Sequence, residues 1–121
     1  MTQIILLCPS SALLESGEGV PFEVLYYAQP GRAFAIRYQG QVHAYLNRCS
    51  HVQMEMDYQP NHFFDISGQW LMCATHGALY SPQTGRCRMG PCRGGLIKIE
   101  IDEVDGLVHW HTAPYLKPVD F

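Results

Sequence analysis

Four side chains in this sequence have the types and spacing to work as one chemical unit. Cys49 and His51 have one residue between them, and Cys73 and His76 have two. Thiolate and imidazole are the side chains that soft and borderline metals prefer. A cysteine and a histidine this close can both reach a metal from a single loop. Two such pairs supply two thiolates and two imidazoles. The 21 residues between His51 and Cys73 suffice for a hairpin that returns the chain to the same place. Such a set can hold a structural zinc tetrahedrally. The common zinc-finger order, however, is a cysteine pair followed by a histidine pair. Here each arm carries one of each, which suits a two-iron cluster with both thiolates on one iron and both imidazoles on the other.

The elements that must position these residues read as short strands. QIILLC (3–8) is a first strand, and SALLESGEG (11–19) is a polar connection with at most one helical turn. FEVLYYAQ (22–29) is a strand that Pro30-Gly31 ends in a turn. RAFAIRYQ and QVHAYLN form a hairpin about Gly40. FFDISGQWLMC is another hairpin, turning at Ser67-Gly68. LIKIEI (96–101) alternates strictly, and Asp105-Gly106 turns it into LVHWHT (107–112). The tail APYLKPVDF reads as extended coil. Roughly eight short strands at close spacing predict an all-β fold, a small antiparallel sandwich or barrel. Both Cys/His pairs then fall at strand ends, in two loops that can meet at one tip.

Composition narrows the classes. The 121 residues predict a single domain over 1–121. With 47% hydrophobic and 16% charged residues the chain reads as globular. The formal charge is −3 and the basic residues read as scattered, so no nucleic-acid surface is expected. A mildly acidic face suits a basic protein partner. No apolar run approaches the ~20 residues of a membrane span. The apolar start has no preceding basic residue, and Leu7 before Cys8 does not suit lipoprotein cleavage. A cytoplasmic protein without membrane contact is expected. Five cysteines, an odd number without an export signal, argue against a disulfide framework.

The motifs resemble a known family. C-x-H, about twenty residues, then C-x-x-H-G is similar to the signature of the Rieske [2Fe–2S] domain. Tyr80 lies four residues after His76, where that family often has an aromatic residue. SPQTG resembles its following turn, and GRCRMGPC resembles the segment that covers the cluster. The similarity spans roughly residues 20–112 of this chain, with residues 46–93 as the cluster-binding part. It implies one Rieske [2Fe–2S] cluster per chain, with Cys49 and Cys73 on one iron and His51 and His76 on the other. It also implies a soluble one-electron carrier rather than an enzyme. Its partners would be a flavin-dependent reductase and a terminal oxygenase or other redox enzyme. A small subunit of a nitrite reductase, or a zinc-bound structural module, are the alternatives. No oxygenase catalytic domain is expected within these 121 residues.

The resemblance also sorts the remaining residues. Respiratory members carry a disulfide between the ligand loops, at positions that here are Met54 and Thr75, and a serine hydroxyl where this chain has Ala78. The expected contact surface is the cluster tip, with Val52, Gln53, Met54, Gly77, Ala78 and Pro91. Cys87 and Cys92, which flank RMGP, are read as thiols of the covering loop, a disulfide or a redox pair being the alternative. Trp70 and Tyr80 are read as packing near the cluster. His109 and His111 share a strand face and are read as solvated rather than as a second metal site. His62 is read as a surface residue.

Hydrogen bonds to cluster sulfur stabilise the reduced state, and Ala78 has none to give. The midpoint potential is therefore expected toward the bottom of the roughly −150 to +300 mV Rieske range. A redox titration placing it well above about +100 mV would remove this expectation.

Overall fold

The computed structural model describes residues 3–48, 61–73, 77–90 and 94–119. Its strands are β1 (Ile4–Pro9), β2 (Val20–Tyr26), β3 (Gln29–Tyr38), β4 (Gln41–Leu46), β5 (Leu71–Met72) and β6 (Leu79–Tyr80). They continue as β7 (Cys87–Met89), β8 (Lys98–Ile99), β9 (Ile101–Val104), β10 (Leu107–His111) and β11 (Leu116–Pro118). One 3-10 turn, Ser10–Ala12, follows β1. Three antiparallel sheets result, in the orders β1-β10-β9, β11-β2-β3-β4-β8 and β5-β6-β7. The architecture is all-β, as expected.

Local chemistry explains most of the path. The β3–β4 hairpin turns at Gln39-Gly40 and the β9–β10 hairpin at Asp105-Gly106. All four of these residues have positive φ, the type I′ geometry that suits the right-handed twist of strands. The Glu15 carboxylate accepts both N–H groups of the first turn, from Gln39 at 2.6 Å and Gly40 at 2.8 Å.

Three expectations need correction. The turn placed at Pro30-Gly31 is instead Tyr27-Ala28, with φ of 50° and 64°. No glycine or asparagine marks it, and Pro30 fits inside β3 because β4 pairs only with residues 33–38. LIKIEI is not one strand: β8 closes the five-stranded sheet beside β4, and after Glu100 the chain crosses into the three-stranded sheet as β9. Alternation reports facing, not which sheet a strand joins. The tail is not coil either, since Leu116–Pro118 pairs with β2.

β3 and β4 separate two cores. Ala33, Ala35, Ala44 and Leu46 face one side with Val24, Val108 and Trp110, between the five-stranded and three-stranded sheets. Phe34, Ile36 and Tyr45 face the other with Phe63, Leu71, Tyr80 and Cys73, under the small β5–β7 sheet. Burying each large apolar side chain contributes about 1.5–3 kcal/mol. Arg37 ties the sheets at their edge. Its Nε donates to the Leu13 carbonyl at 2.7 Å, and its guanidinium forms a two-pronged pair with Glu103 on β9.

The fold acquires a pH dependence from two groups. Arg37 holds Glu103 at about 2, below the ordinary 4.5. Burial, reinforced by Lys98, lowers the pKa of His43 on β4. Both bind protons more weakly folded than unfolded, so acid destabilises the fold. The His43 contribution begins to be lost below about pH 6.5, its unfolded value. The Glu103 contribution is complete above pH 4.5 and is lost as pH falls toward 2. Thermal melts from pH 7 to 2.5 should show Glu103→Gln flattening only the segment below about pH 4.5. Parallel curves for the variant and the parent there would refute the assignment.

Candidate metal centre

The second Cys/His pair is built on the β5–β6 connection. Cys73 directly follows β5, is fully buried and is not in a disulfide. Its carbonyl accepts the Gly77 N–H at 2.8 Å, and its own N–H donates to the Ala78 carbonyl at 2.9 Å. These two bonds hold Cys73 against Gly77 and Ala78. Gly77 has φ +71°, the left-handed conformation that glycine adopts without steric cost. Residues 74–76, and with them His76, lie outside the described residues.

The first pair, Cys49 and His51, also lies outside them. Both anchors of its loop are described. On entry, the Asn47 N–H donates to the Arg32 carbonyl at 2.8 Å and the Arg48 N–H to the Leu46 carbonyl at 2.9 Å. On return, the Asn61 carbonyl accepts the Gly19 N–H at 2.8 Å. Phe63 then stacks on Phe34 with ring centroids 3.7 Å apart, and the Met72 N–H donates to the Phe63 carbonyl. The chain leaving the first loop is thereby packed beside β5, the strand that leads into the second.

Sequence reasoning did not identify the support beneath. The Tyr45 hydroxyl, buried in the central sheet, donates to the Pro82 carbonyl at 2.7 Å. Burial pushes its pKa up, so it stays a donor. The Ser81 hydroxyl accepts from the N–H groups of Gln83 and Thr84, and Gly85 closes the turn with φ +76°. A Cβ at Gly85 would lie 2.7 Å from the Tyr45 ring. The polar SPQTG composition marked a turn, but nothing local showed that it sits on a tyrosine from β4.

The covering segment approaches closely. A Cβ on Gly90 would come within 2.9 Å of the Ala78 Cα, and Gly90 has φ +99°. Ala78 is fully buried there, which removes it from the contact surface, while Gly77 is exposed. Val52, Gln53, Met54 and Pro91 of that surface lie outside the described residues, as do Thr75 and Cys92. The thiol reading of Cys87 is corrected: it is disulfide-bonded, to a partner outside the described residues. A disulfide needs two Cα atoms within about 7 Å and Cβ atoms turned toward each other. The total number of cysteines does not determine that distance. Tyr80 is fully buried in the same core as Cys73, as expected. Trp70 is only partly buried and instead lies beneath the Arg88 guanidinium, 5.5 Å from its carbon.

Of the other histidines, His62 behaves as read, whereas His109 and His111 share a strand face as read but are partly buried rather than solvated. His62 is exposed, 2.9 Å from Glu18. His109 and His111 both face Asp102, at 4.0 Å and 2.6 Å. Among the described residues no group of three potential ligands is arranged to hold a metal, and no helix is long and apolar enough to cross a membrane.

The described residues form a small antiparallel β-scaffold with a buried cysteine, outside any disulfide, at the end of β5. The family comparison gives it a family. The family model for the Rieske [2Fe-2S] domain matches residues 3–101, about four-fifths of the chain, and the chain belongs to that family. The family's cofactor is a Rieske-type [2Fe–2S] cluster, and the described residues fit it: a buried cysteine outside any disulfide is held against Gly77 and Ala78 by backbone hydrogen bonds. No curated protein sequence matches. Solved structures show the same fold. The ferredoxin of carbazole 1,9a-dioxygenase from Nocardioides aromaticivorans IC177 has a TM-score of 0.66 at 18% identity, over 89% of this chain and 96% of that one. A complex of reduced oxygenase and oxidized ferredoxin in carbazole 1,9a-dioxygenase gives 0.69 at 19% identity, over 97% of both chains. The terminal oxygenase of carbazole 1,9a-dioxygenase from Novosphingobium sp. KA1 gives 0.72 at 21% identity, over 98% of this chain. This chain spans under a third of such oxygenase chains, 31% in that case.

Gly90→Ala tests the cover. Its conformation and the Ala78 contact should together destabilise the fold by about 1–3 kcal/mol. The bound cluster should bleach faster on warming. Unchanged melting and bleaching would show that the segment does not need this close approach.

Proposed function

We propose that this protein is a one-electron carrier whose cluster is held by Cys49 and Cys73 on one iron and His51 and His76 on the other. The observation that carries the reading is the Cys73 loop, pinched by its two backbone hydrogen bonds, within a chain that belongs to the Rieske family. When bound, such a cluster takes up and releases one electron. Cys73 presents its thiolate from a buried, rigid strand end. The flanking hydrogen bonds keep the loop from rearranging between redox states. The apolar residues packed around Cys73, among them Phe34, Leu71 and Tyr80, exclude water from its buried side.

In this reading residues 1–121 act as one unit, with 46–93 as the cluster-binding part. The protein does not turn over a substrate. A flavin-dependent reductase supplies the electron, and a terminal oxygenase or another redox enzyme accepts it, in the cytoplasm. The fold likeness to a ferredoxin solved with its oxygenase supports the oxygenase as acceptor.

An anaerobic preparation should contain about two irons and two acid-labile sulfides per chain, with the low average g of His-ligated clusters when reduced. Cys73→Ser should lose both iron and sulfide. One zinc per chain without sulfide, persisting after iron–sulfur reconstitution, would overturn the proposal.

A further inference from the structure

The charge of this chain is segregated. Residues 66–99 contain four basic residues, Arg86, Arg88, Arg93 and Lys98, and no acidic one. The other 87 residues hold four basic and all eleven acidic residues. The net charge of −3 therefore conceals a segment of +4 that includes the second ligand loop. The view of the basic residues as scattered does not survive this count.

The structure gives the segment a shape. An open cleft of about 910 Å3 lies between the 81–84 turn, Gln69-Trp70, the start of β7 and Gly94–Leu96, with Tyr38 of β3 in its wall. Arg86 and Arg88 line it, separated by one residue across the start of β7, where alternation places them on one face. β7 pairs with β6, and its first N–H, that of Cys87, donates to the Gly94 carbonyl at 2.8 Å. The Arg88 guanidinium lies over the Trp70 ring, which orients it without neutralising it. Gln69, Gln83 and Thr84 supply neutral polar groups, and none of the lining residues is Asp or Glu.

We propose that this cleft is the docking site for a carboxylate-bearing segment on the protein that exchanges electrons with this one. The inference rests on the electron-carrier reading above. Paired guanidiniums match carboxylates in a fork geometry. Enclosed pockets that are mainly apolar take small molecules, whereas this cleft is open and largely polar, as transient protein contacts are. Trp70 in its wall directly precedes β5, the strand that leads into Cys73, so a partner seated here is three residues along the chain from the second ligand loop. Opposite charge then steers encounter and fixes orientation, and both effects weaken as salt rises.

Fluorescein-labelled hexaglutamate is the probe, followed by anisotropy with the full chain as purified. Binding should be seen at low ionic strength and fade as salt is raised to about 0.2 M. Arg86→Gln/Arg88→Gln should weaken it about fivefold, and Lys117→Gln should leave it unchanged. Each single arginine variant should show a smaller loss, which covers the case of a double variant that folds poorly. Absence of binding, equal binding by the double variant, or equal binding of hexalysine would overturn the proposal. Displacement of the peptide by an equal concentration of inorganic phosphate would also overturn it, in favour of a small-anion site. Iron and sulfide are assayed on the same sample. A loaded cluster without peptide binding removes only the docking site. Peptide binding by a chain that cannot assemble a cluster removes the electron-carrier reading.

Discussion

Phe34 and Tyr45 stand on one face of the central sheet while Ala35 and Ala44 stand on the other, and both faces are dry. The rest of the molecule depends on that double burial. Small alanines let the three-stranded sheet approach closely on one side. Large aromatics on the other side fill the space under the β5–β7 sheet and support it. A sheet with one wet face would leave the metal-binding lobe attached only through its connecting loops. Here Phe63 stacks on Phe34 and Tyr45 reaches the Pro82 carbonyl, so the lobe has an apolar footing and a buried hydrogen bond.

The ends of the Cys73 loop are held together by backbone groups. Two hydrogen bonds close it, and Gly77 and Gly90 take conformations that other residues resist. Such an arrangement suits an electron carrier, in which ligands should move little between oxidised and reduced states. Ligand-orienting contacts also tune the metal. Ala78 occupies a buried position where a hydroxyl would have been one such contact, and its small side chain instead lets Gly90 pack directly above.

The electrostatics have a separate logic. Glu103, an acidic residue that stabilises the scaffold, is engaged by Arg37, and none of the residues lining the cleft is Asp or Glu. Structural carboxylates at the base and exposed guanidiniums on the lobe give a small protein of modest net charge a strong local polarity. Net charge alone would have suggested the opposite kind of partner. The arrangement of charge, not its sum, is what a docking protein meets within a Debye length of about 8–10 Å.

The sequence by itself determined the chemistry and the class. C-x-H and C-x-x-H-G carry the family signature through residue type and spacing. Gln39-Gly40 and Asp105-Gly106 declare their turns because type I′ geometry selects such residues. Strand alternation declares which residues share a face. All of these are local properties. The tertiary structure alone decided what depends on contacts between distant residues. The Tyr27-Ala28 turn has positive φ without a glycine, imposed by the pairing of β2 with β3. The run 96–101 divides between two sheets because β4 claims one half and β10 the other. Leu116–Pro118 became a strand because β2 offered a free edge. Trp70 came to lie under Arg88 through proximity that no local pattern encodes. Spacing along a chain specifies reach, but only the packing of distant segments specifies what is reached.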